Sequence, residues 1–167
     1  AYYLLAISYY EQIADEKKDT RSILKSKEYF DFLVNNFPNT EYAIDARFKI
    51  DLINDILAAK EMYVGRYYLD KKKWISAINR FRNVVDNYET TAFTQEALHR
   101  LVEIHFILGL EEEAQKYAKL LGYNYQSSEW YENSYSVFNK NYVKVKLDKK
   151  KDKKSGKILK KFKSIFK

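Results

Sequence analysis

The sequence of 167 residues contains no cysteine, one proline and four glycines. Without cysteine the chain can form no disulfide and offers no thiolate to a metal ion. So few turn-forming residues argue against an all-β protein, which needs many tight turns. No apolar run reaches about 18 residues, so the sequence predicts no transmembrane helix. The chain begins without methionine, in a pattern typical of a helix interior, and we expect that an amino-terminal part precedes it.

Side chains that carry catalytic chemistry are also scarce. The histidines are His99 and His105, which are too few for a zinc site in a chain without cysteine. No nucleophile is paired with a general base, and no glycine-rich phosphate loop occurs. The acidic run Glu111–Glu113 suits the positive end of a helix dipole, so we interpret it as a helix start. These absences lead us to expect neither an enzyme nor a bound metal or cofactor.

Positive charge is concentrated at the carboxy-terminal end of the sequence. The whole chain has a net charge of +7, yet residues 143–167 hold 12 lysines and two aspartates, a net charge of +10, and residues 1–142 carry −3. We therefore predict a folded domain over residues 1–139 and a largely disordered basic tail over residues 140–167.

The end of the tail follows a second pattern. An amphipathic helix is predicted within residues 156–167, because apolar residues recur at helical spacing beside five lysines. Such a segment suits an anionic membrane surface or the groove of a partner protein, and it would attract nucleic acid non-specifically. A tail that only keeps the protein soluble is equally consistent with the pattern. The apolar residues are Ile158, Leu159, Phe162, Ile165 and Phe166.

Helical spacing of apolar residues continues along most of the chain, and no segment alternates with the period of a strand. The predicted fold class is all-α, with short connections that favour antiparallel neighbours. Pro38 should end one helix, and Asn39 or Thr40 should cap the next. Gly109 should form a tight turn, and Gly122 should end the sixth helix. The predicted helices are Tyr2 to about Ala14, Ser22–Asn36, Thr40 to about Lys71, Trp74–Tyr88, Phe93–Leu108, Glu111–Leu121, and a short one from a cap at Ser127 or Ser128 to about Phe138.

Four residues in the middle of the sequence follow regular intervals. Counted from Gly65, Tyr68 lies 3 residues further on, Ala77 lies 12 and Phe81 lies 16. These intervals resemble those of the tetratricopeptide repeat. The resemblance implies that the small residues let two helices of a hairpin pack closely, and that the aromatic residues fill the gaps between neighbouring hairpins.

Two further copies flank this one. The segment LGLEEEA matches the turn and the start of the second helix, with Gly109 at the turn and Ala114 at the small-residue position. A looser copy comes earlier, where Ala6 precedes an expanded loop and Phe30 lies 8 residues before Pro38. Three copies predict a tetratricopeptide-repeat helical-hairpin solenoid of about seven helices over residues 1–139.

The order of the segments along the chain indicates one particular family of tetratricopeptide-repeat proteins. The segments YYLLAISYY, YFDFLVNNFPNTEYAIDA, AAKEMYVGRYYLDKKKW, AINRF and EALHRLVEIHFILGLEEEA occur in this order. Over about Tyr2 to Phe138 the chain resembles the BamD family, lipoproteins of the outer-membrane β-barrel assembly machinery. The resemblance implies a scaffold at the periplasmic face of the outer membrane, held there by a lipid anchor outside this chain.

The same resemblance implies partners. It predicts docking on a POTRA domain of the barrel-forming subunit, contacts with other assembly lipoproteins and with unfolded outer-membrane protein segments, and no nucleic acid. The family's partner-facing arginine falls on Arg80, whose planar guanidinium can bind a carboxylate through two hydrogen bonds. Asn79, Arg66 and Tyr67 are further candidates for partner binding, while Arg82 is interpreted as surface charge.

Two other functions remain open from the sequence alone. The chain could be a different tetratricopeptide adaptor, which binds peptides or partner helices and has no role in barrel assembly. It could also bind nucleic acid through the tail. A start with a signal peptide and a lipid-modified cysteine would favour the BamD-like function over the adaptor, and loss of binding on deletion of residues 143–167 would favour the nucleic-acid function.

Overall fold

The computed structural model describes residues 1–12 and 20–138 of the chain. These described residues form seven α-helices and no strand, which confirms the all-α prediction and a helical-repeat fold like that of tetratricopeptide proteins. No helix among them combines the length and the apolar character that crossing a membrane requires. The helices are α1 (Tyr2–Tyr10), α2 (Arg21–Asn36), α3 (Glu41–Asp70), α4 (Trp74–Asn87), α5 (Thr94–Ile107), α6 (Glu111–Asn124) and α7 (Glu129–Phe138).

The predicted basic tail lies outside the described residues. This holds for the amphipathic helix predicted over residues 156–167 and for each of its apolar residues, Ile158, Leu159, Phe162, Ile165 and Phe166.

The helices pack in chain order. Pairs α1/α2, α3/α4 and α5/α6 form hairpins, and α2/α3 and α4/α5 join one hairpin to the next. The last helix, α7, packs against both α5 and α6. Contacts between neighbours in sequence are typical of a solenoid, in which each hairpin buries its apolar side against the next one.

Two apolar clusters lie along the solenoid, and α3 contributes to both. Its residues up to Leu57 supply Ala46, Ile53 and Leu57 to the cluster with α1 and α2. Its second half supplies Ala58 and Met62 to the cluster with α4 and α5. A helix of 30 residues is about 45 Å long, which lets it span two hairpins, so α3 connects the two cores.

Two predicted helix boundaries are confirmed by their hydrogen bonds. At the start of α3, the Ala43 backbone N–H donates to Thr40 Oγ1 at 3.2 Å, so Thr40 caps the helix. After α5, Gly109 has a φ of 75°, and the Leu110 N–H donates to the His105 carbonyl at 2.9 Å. This arrangement ends a helix with a glycine in the left-handed region, as predicted.

Two predicted boundaries are wrong. Helix α1 ends at Tyr10 rather than near Ala14, because the chain turns at Glu11. Gly122 does not end α6, which continues to Asn124. A Cβ atom built on Gly122 would lie 2.8 Å from Cε2 of Tyr131, so this glycine permits close approach of α7 instead of stopping the helix.

The repeat residues Gly65, Ala77, Phe81 and Ala114 are buried. A Cβ atom on Gly65 would lie 2.6 Å from Cε1 of Phe81, a distance that non-bonded carbon atoms do not reach. The space at Gly65 is therefore filled by the Phe81 ring of the same hairpin. Tyr68 is partly buried against the same cluster.

We predict that Gly65→Ala destabilises the protein by about 1–3 kcal/mol, because the added methyl group overpacks a ring with no free space around it. Urea unfolding followed by circular dichroism measures this change. In a Phe81→Leu background the same substitution should cost much less, since the clashing ring atoms are gone. Stabilisation by Gly65→Ala in the wild-type background, as helix propensity alone would give, would contradict the close-packing interpretation.

Candidate partner-binding site

Arg80 lies in a cleft of about 340 Å³ between α3 and α4. Helix α3 contributes one wall and α4 the other, and we call this space the Arg80 cleft. Its lining residues are spaced one or two helical turns apart on each helix, so each set shares one helix face. The cleft is lined by Glu61, Tyr68, Ser76, Asn79, Arg80 and Asn83.

Arg80 forms an ion pair across this cleft. Its Nη1 atom donates to Glu61 Oε2 at 3.1 Å and to Glu61 Oε1 at 3.3 Å. The Arg80 side chain is 44% exposed, whereas that of Glu61 is 18% exposed. Both contacts use Nη1, so the remaining guanidinium donors make no hydrogen bond within residues 1–12 and 20–138.

The charge of Glu61 also acts on the end of α4. Burial raises the pKa of Tyr88 above its ordinary value, and the negative charge of Glu61 raises it further. Tyr88 follows α4 directly and packs against both apolar clusters. Glu61 therefore lies close both to Arg80 and to the packed end of α4, and its ion pair with Arg80 spans the cleft.

Arg66 is engaged in a different contact. Its Nε atom donates to Oε1 of Glu96 at 2.9 Å, and its Nη2 atom donates to the second carboxylate oxygen. Glu96 is almost fully buried at the start of α5, and Arg100 Nε lies 3.5 Å from its Oε1 atom. The two-point pair joins α3 to α5 and thus one hairpin to the next.

The Glu96 carboxyl is held in its charged form by these arginines. Burial has the largest single effect and raises its pKa, but hydrogen bonds and charges from Arg66 and Arg100 together outweigh it. The net result is a pKa below the ordinary value of 4.5. Because the charged form is favoured in the folded state, this pair stabilises the fold at neutral pH.

His99 of α5 contacts α7. The sequence analysis predicted the helix α7 but not this contact. It is buried, with Nδ1 2.8 Å from Ser134 Oγ and Nε2 3.5 Å from Glu103 Oε1. The Trp130 ring packs on His99, with 5.4 Å between ring centroids, and on Arg100. His99 thus belongs to the packing of α5 against α7.

The structure brings two of the four predicted partner-binding residues together. Asn79 and Arg80 line the Arg80 cleft, Arg66 faces Glu96 of α5, and Tyr67 lies outside the cleft with 55% of its surface exposed. Sequence reasoning missed Glu61, although it precedes Tyr68 by two helical turns and that spacing places both on one face.

Metal binding finds no support in the described part of the chain. It holds no group of three or more histidine, aspartate or glutamate side chains arranged to bind an ion.

Comparison with known proteins gives consistent matches. The profile of the YfiO family, described as outer membrane lipoprotein, matches residues 1–120. The chain is 54% identical over 142 residues to the outer membrane protein assembly factor BamD of Rickettsia prowazekii (strain Madrid E), which covers 85% of this chain and 56% of that protein. It is 45% identical over 141 residues to the BamD of Caulobacter vibrioides, which covers 84% of this chain and 46% of that protein. The chain spans about half the length of these curated relatives.

We predict that Glu96→Gln lowers the free energy of unfolding by about 1–3 kcal/mol at pH 7, since a buried charge-assisted contact to a half-exposed arginine is weakened. The difference from wild type should shrink as the pH falls below 4.5 and through the lower folded pKa, where the wild-type carboxyl also becomes neutral. Urea unfolding at neutral and acidic pH measures both values. Glu112→Gln, an exposed site on α6, is the matched control. A Glu96→Gln effect that does not change with pH would contradict this assignment.

Proposed function

This chain belongs to the BamD family of outer membrane lipoproteins, and on that premise we propose that it is a non-enzymatic scaffold subunit of the outer-membrane β-barrel assembly machinery. In this role its α3/α4 hairpin docks on a POTRA domain of the barrel-forming subunit and so helps the insertion of outer-membrane proteins. Both relatives are named outer membrane protein assembly factor BamD, which supports this function.

The observation that carries the proposal is the position of Arg80. A partner's carboxylate can approach its unused guanidinium donors from solvent, because the side chain is 44% exposed. A planar guanidinium that already donates to one carboxylate can still donate to a second one through its other edge.

The neighbouring polar groups support the same contact. Asn79 is exposed beside Arg80, and Ser76 and Asn83 line the same cleft one turn away on either side. Amide and hydroxyl groups can donate to and accept from a partner backbone. A charged centre with a polar rim is the arrangement that gives an interface its orientation and specificity.

The proposal includes a location and further partners. The protein would lie at the periplasmic face of the outer membrane, attached by a lipid anchor outside this chain. Other assembly lipoproteins and unfolded outer-membrane protein segments would bind other parts of the solenoid, for which Tyr67 is a candidate contact because it is exposed. No nucleic acid is expected as a partner.

We predict that Arg80→Glu weakens binding to the POTRA domains of the barrel-forming subunit at least about tenfold, which corresponds to about 1.4 kcal/mol. The reversed charge repels the partner's carboxylate and also repels Glu61. Isothermal titration calorimetry measures the affinity, and circular dichroism checks that the helices are retained.

Arg82→Glu is the control for this substitution. It makes the same change of net charge on the same helix, but Arg82 follows Arg80 by two residues and so points to the other side of α4. It should change the affinity less than about threefold. Equal losses for Arg80→Glu and Arg82→Glu would reject the specific contact and leave only a general charge effect.

We further predict that Glu61→Gln leaves the affinity unchanged or increases it by up to about threefold. The substitution removes the internal carboxylate that competes for Arg80, and the exposed pair contributes at most about 1 kcal/mol to stability. The same calorimetric titration tests this outcome. A loss of affinity as large as that of Arg80→Glu would show that binding needs the Glu61–Arg80 ion pair itself, and would contradict a direct contact between Arg80 and a partner carboxylate.

A further inference from the structure

A second cleft, of about 600 Å³, lies between α6 and α7 at the end of the solenoid. We call it the terminal cleft. The α6 side is lined by the small residues Ala118 and Gly122, and the Tyr131 ring of α7 lies directly against Gly122. The α7 side is lined by Tyr131, Tyr135 and Phe138, which lie on one helix face at intervals of four and three residues. A floor of small residues and a wall of aromatic rings makes an apolar groove.

The described part of the chain ends at this groove. Phe138 is both the last residue of α7 and part of the lining, and residues 139–167 follow it in the sequence. Tyr123, on the α6 edge, has 86% of its surface exposed. A solenoid needs a cap over the apolar side of its last hairpin, and here the side facing the terminal cleft carries exposed aromatic surface.

We propose that the terminal cleft binds the carboxy-terminal segment 158–166 of the same chain, ILKKFKSIF. When this segment is helical, Ile158, Phe162, Ile165 and Phe166 lie on one face. Apolar residues at such intervals are the pattern by which an amphipathic helix occupies a groove. The lysines of the segment then point to solvent and give the capped end a polar outer surface.

The linker is long enough for this contact. About 19 residues separate Phe138 from Ile158, which for a flexible chain gives a root-mean-square span of about 24 Å. At this length the tail has an effective concentration on the order of millimolar near the cleft, which favours binding within the chain over binding to a second copy.

Charge at the edge of the groove fits the same occupant. Glu111 precedes Gln115, Ala118 and Gly122 on one face of α6, so it continues the line of the cleft at its open end. Glu111 is exposed and stands in an acidic first turn. A lysine of the docked segment can therefore meet a carboxylate, and among the described residues that line the cleft Lys119 is the one charged side chain.

The absence of cysteine makes a direct test simple. Lys119→Cys places a thiol in the lining of the terminal cleft, and Lys116→Cys is its control, because Lys116 does not line the cleft and its side chain is 74% exposed. Each is combined in the full chain with Leu159→Cys, which lies at the edge of the apolar face of the tail segment when that segment is helical. We expect the disulfide between positions 119 and 159 to form at least about fivefold faster than that between 116 and 159, with a rate that does not depend on protein concentration.

A substitution in the tail completes the experiment without disturbing the folded helices. Phe162→Asp should lower the rate for the 119–159 pair to that of the control, whereas Lys161→Gln should leave it high. Equal rates for the two pairs overturn the proposal. So does a disulfide that forms only between two chains, or a 119–159 rate that rises only when vesicles of anionic phospholipid are added, since the segment would then belong to a second copy or to a membrane.

Discussion

The packing of the Phe81 ring against Gly65 is the contact on which the rest of the α3/α4 hairpin depends. The ring fills the position that a side chain on α3 would occupy, and it has no exposed surface. This contact fixes the rotation of α4 about its own axis. Arg80 is the preceding residue on the same helix, so the direction of its side chain is set by the same contact. The ion pair with Glu61 follows from this geometry, and so does the cleft in which a partner is proposed to bind.

Helix α3 makes this hairpin part of a larger rigid unit. It contributes to both apolar clusters, and its Arg66 holds Glu96 of the next hairpin. From Glu96 the contacts continue through Arg100 to Trp130 of α7. A surface built on such helices can present Arg80 in one orientation, which is the property that a scaffold needs. The proposed function therefore relies on positions that are set by packing over three hairpins rather than by the cleft alone.

Sequence reasoning predicted the helices and the repeat because both follow from periodicity. Gly65, Ala77, Phe81 and Ala114 were assigned to packing by their intervals, and all are buried. Gly122 was misread because a glycine that stops a helix and one that admits a neighbouring ring look alike in a sequence, and only the position of Tyr131 separates them.

Contacts between distant segments could not be predicted from the spacing of apolar residues. Glu61 lies 19 residues from Arg80, and Arg66 lies 30 residues from Glu96. Which carboxylate meets which arginine depends on the crossing of two helices, and small changes in helix rotation select the pair. The sequence analysis considered His99 only as a metal ligand, and the structure shows it buried. Its neighbours Ser134 and Trp130 on α7 could not be inferred, because nothing in the sequence states where the last helix docks.

The most direct test of the account is hydrogen–deuterium exchange of the full chain, measured by mass spectrometry with and without the POTRA domains of the barrel-forming subunit. The account predicts slower exchange on binding in peptides that cover residues 61–68 of α3 and 76–83 of α4, the two walls of the Arg80 cleft. Unchanged exchange in both segments, with protection confined to α1 and α2 or to α7, would show that the partner binds elsewhere and would contradict the central claim.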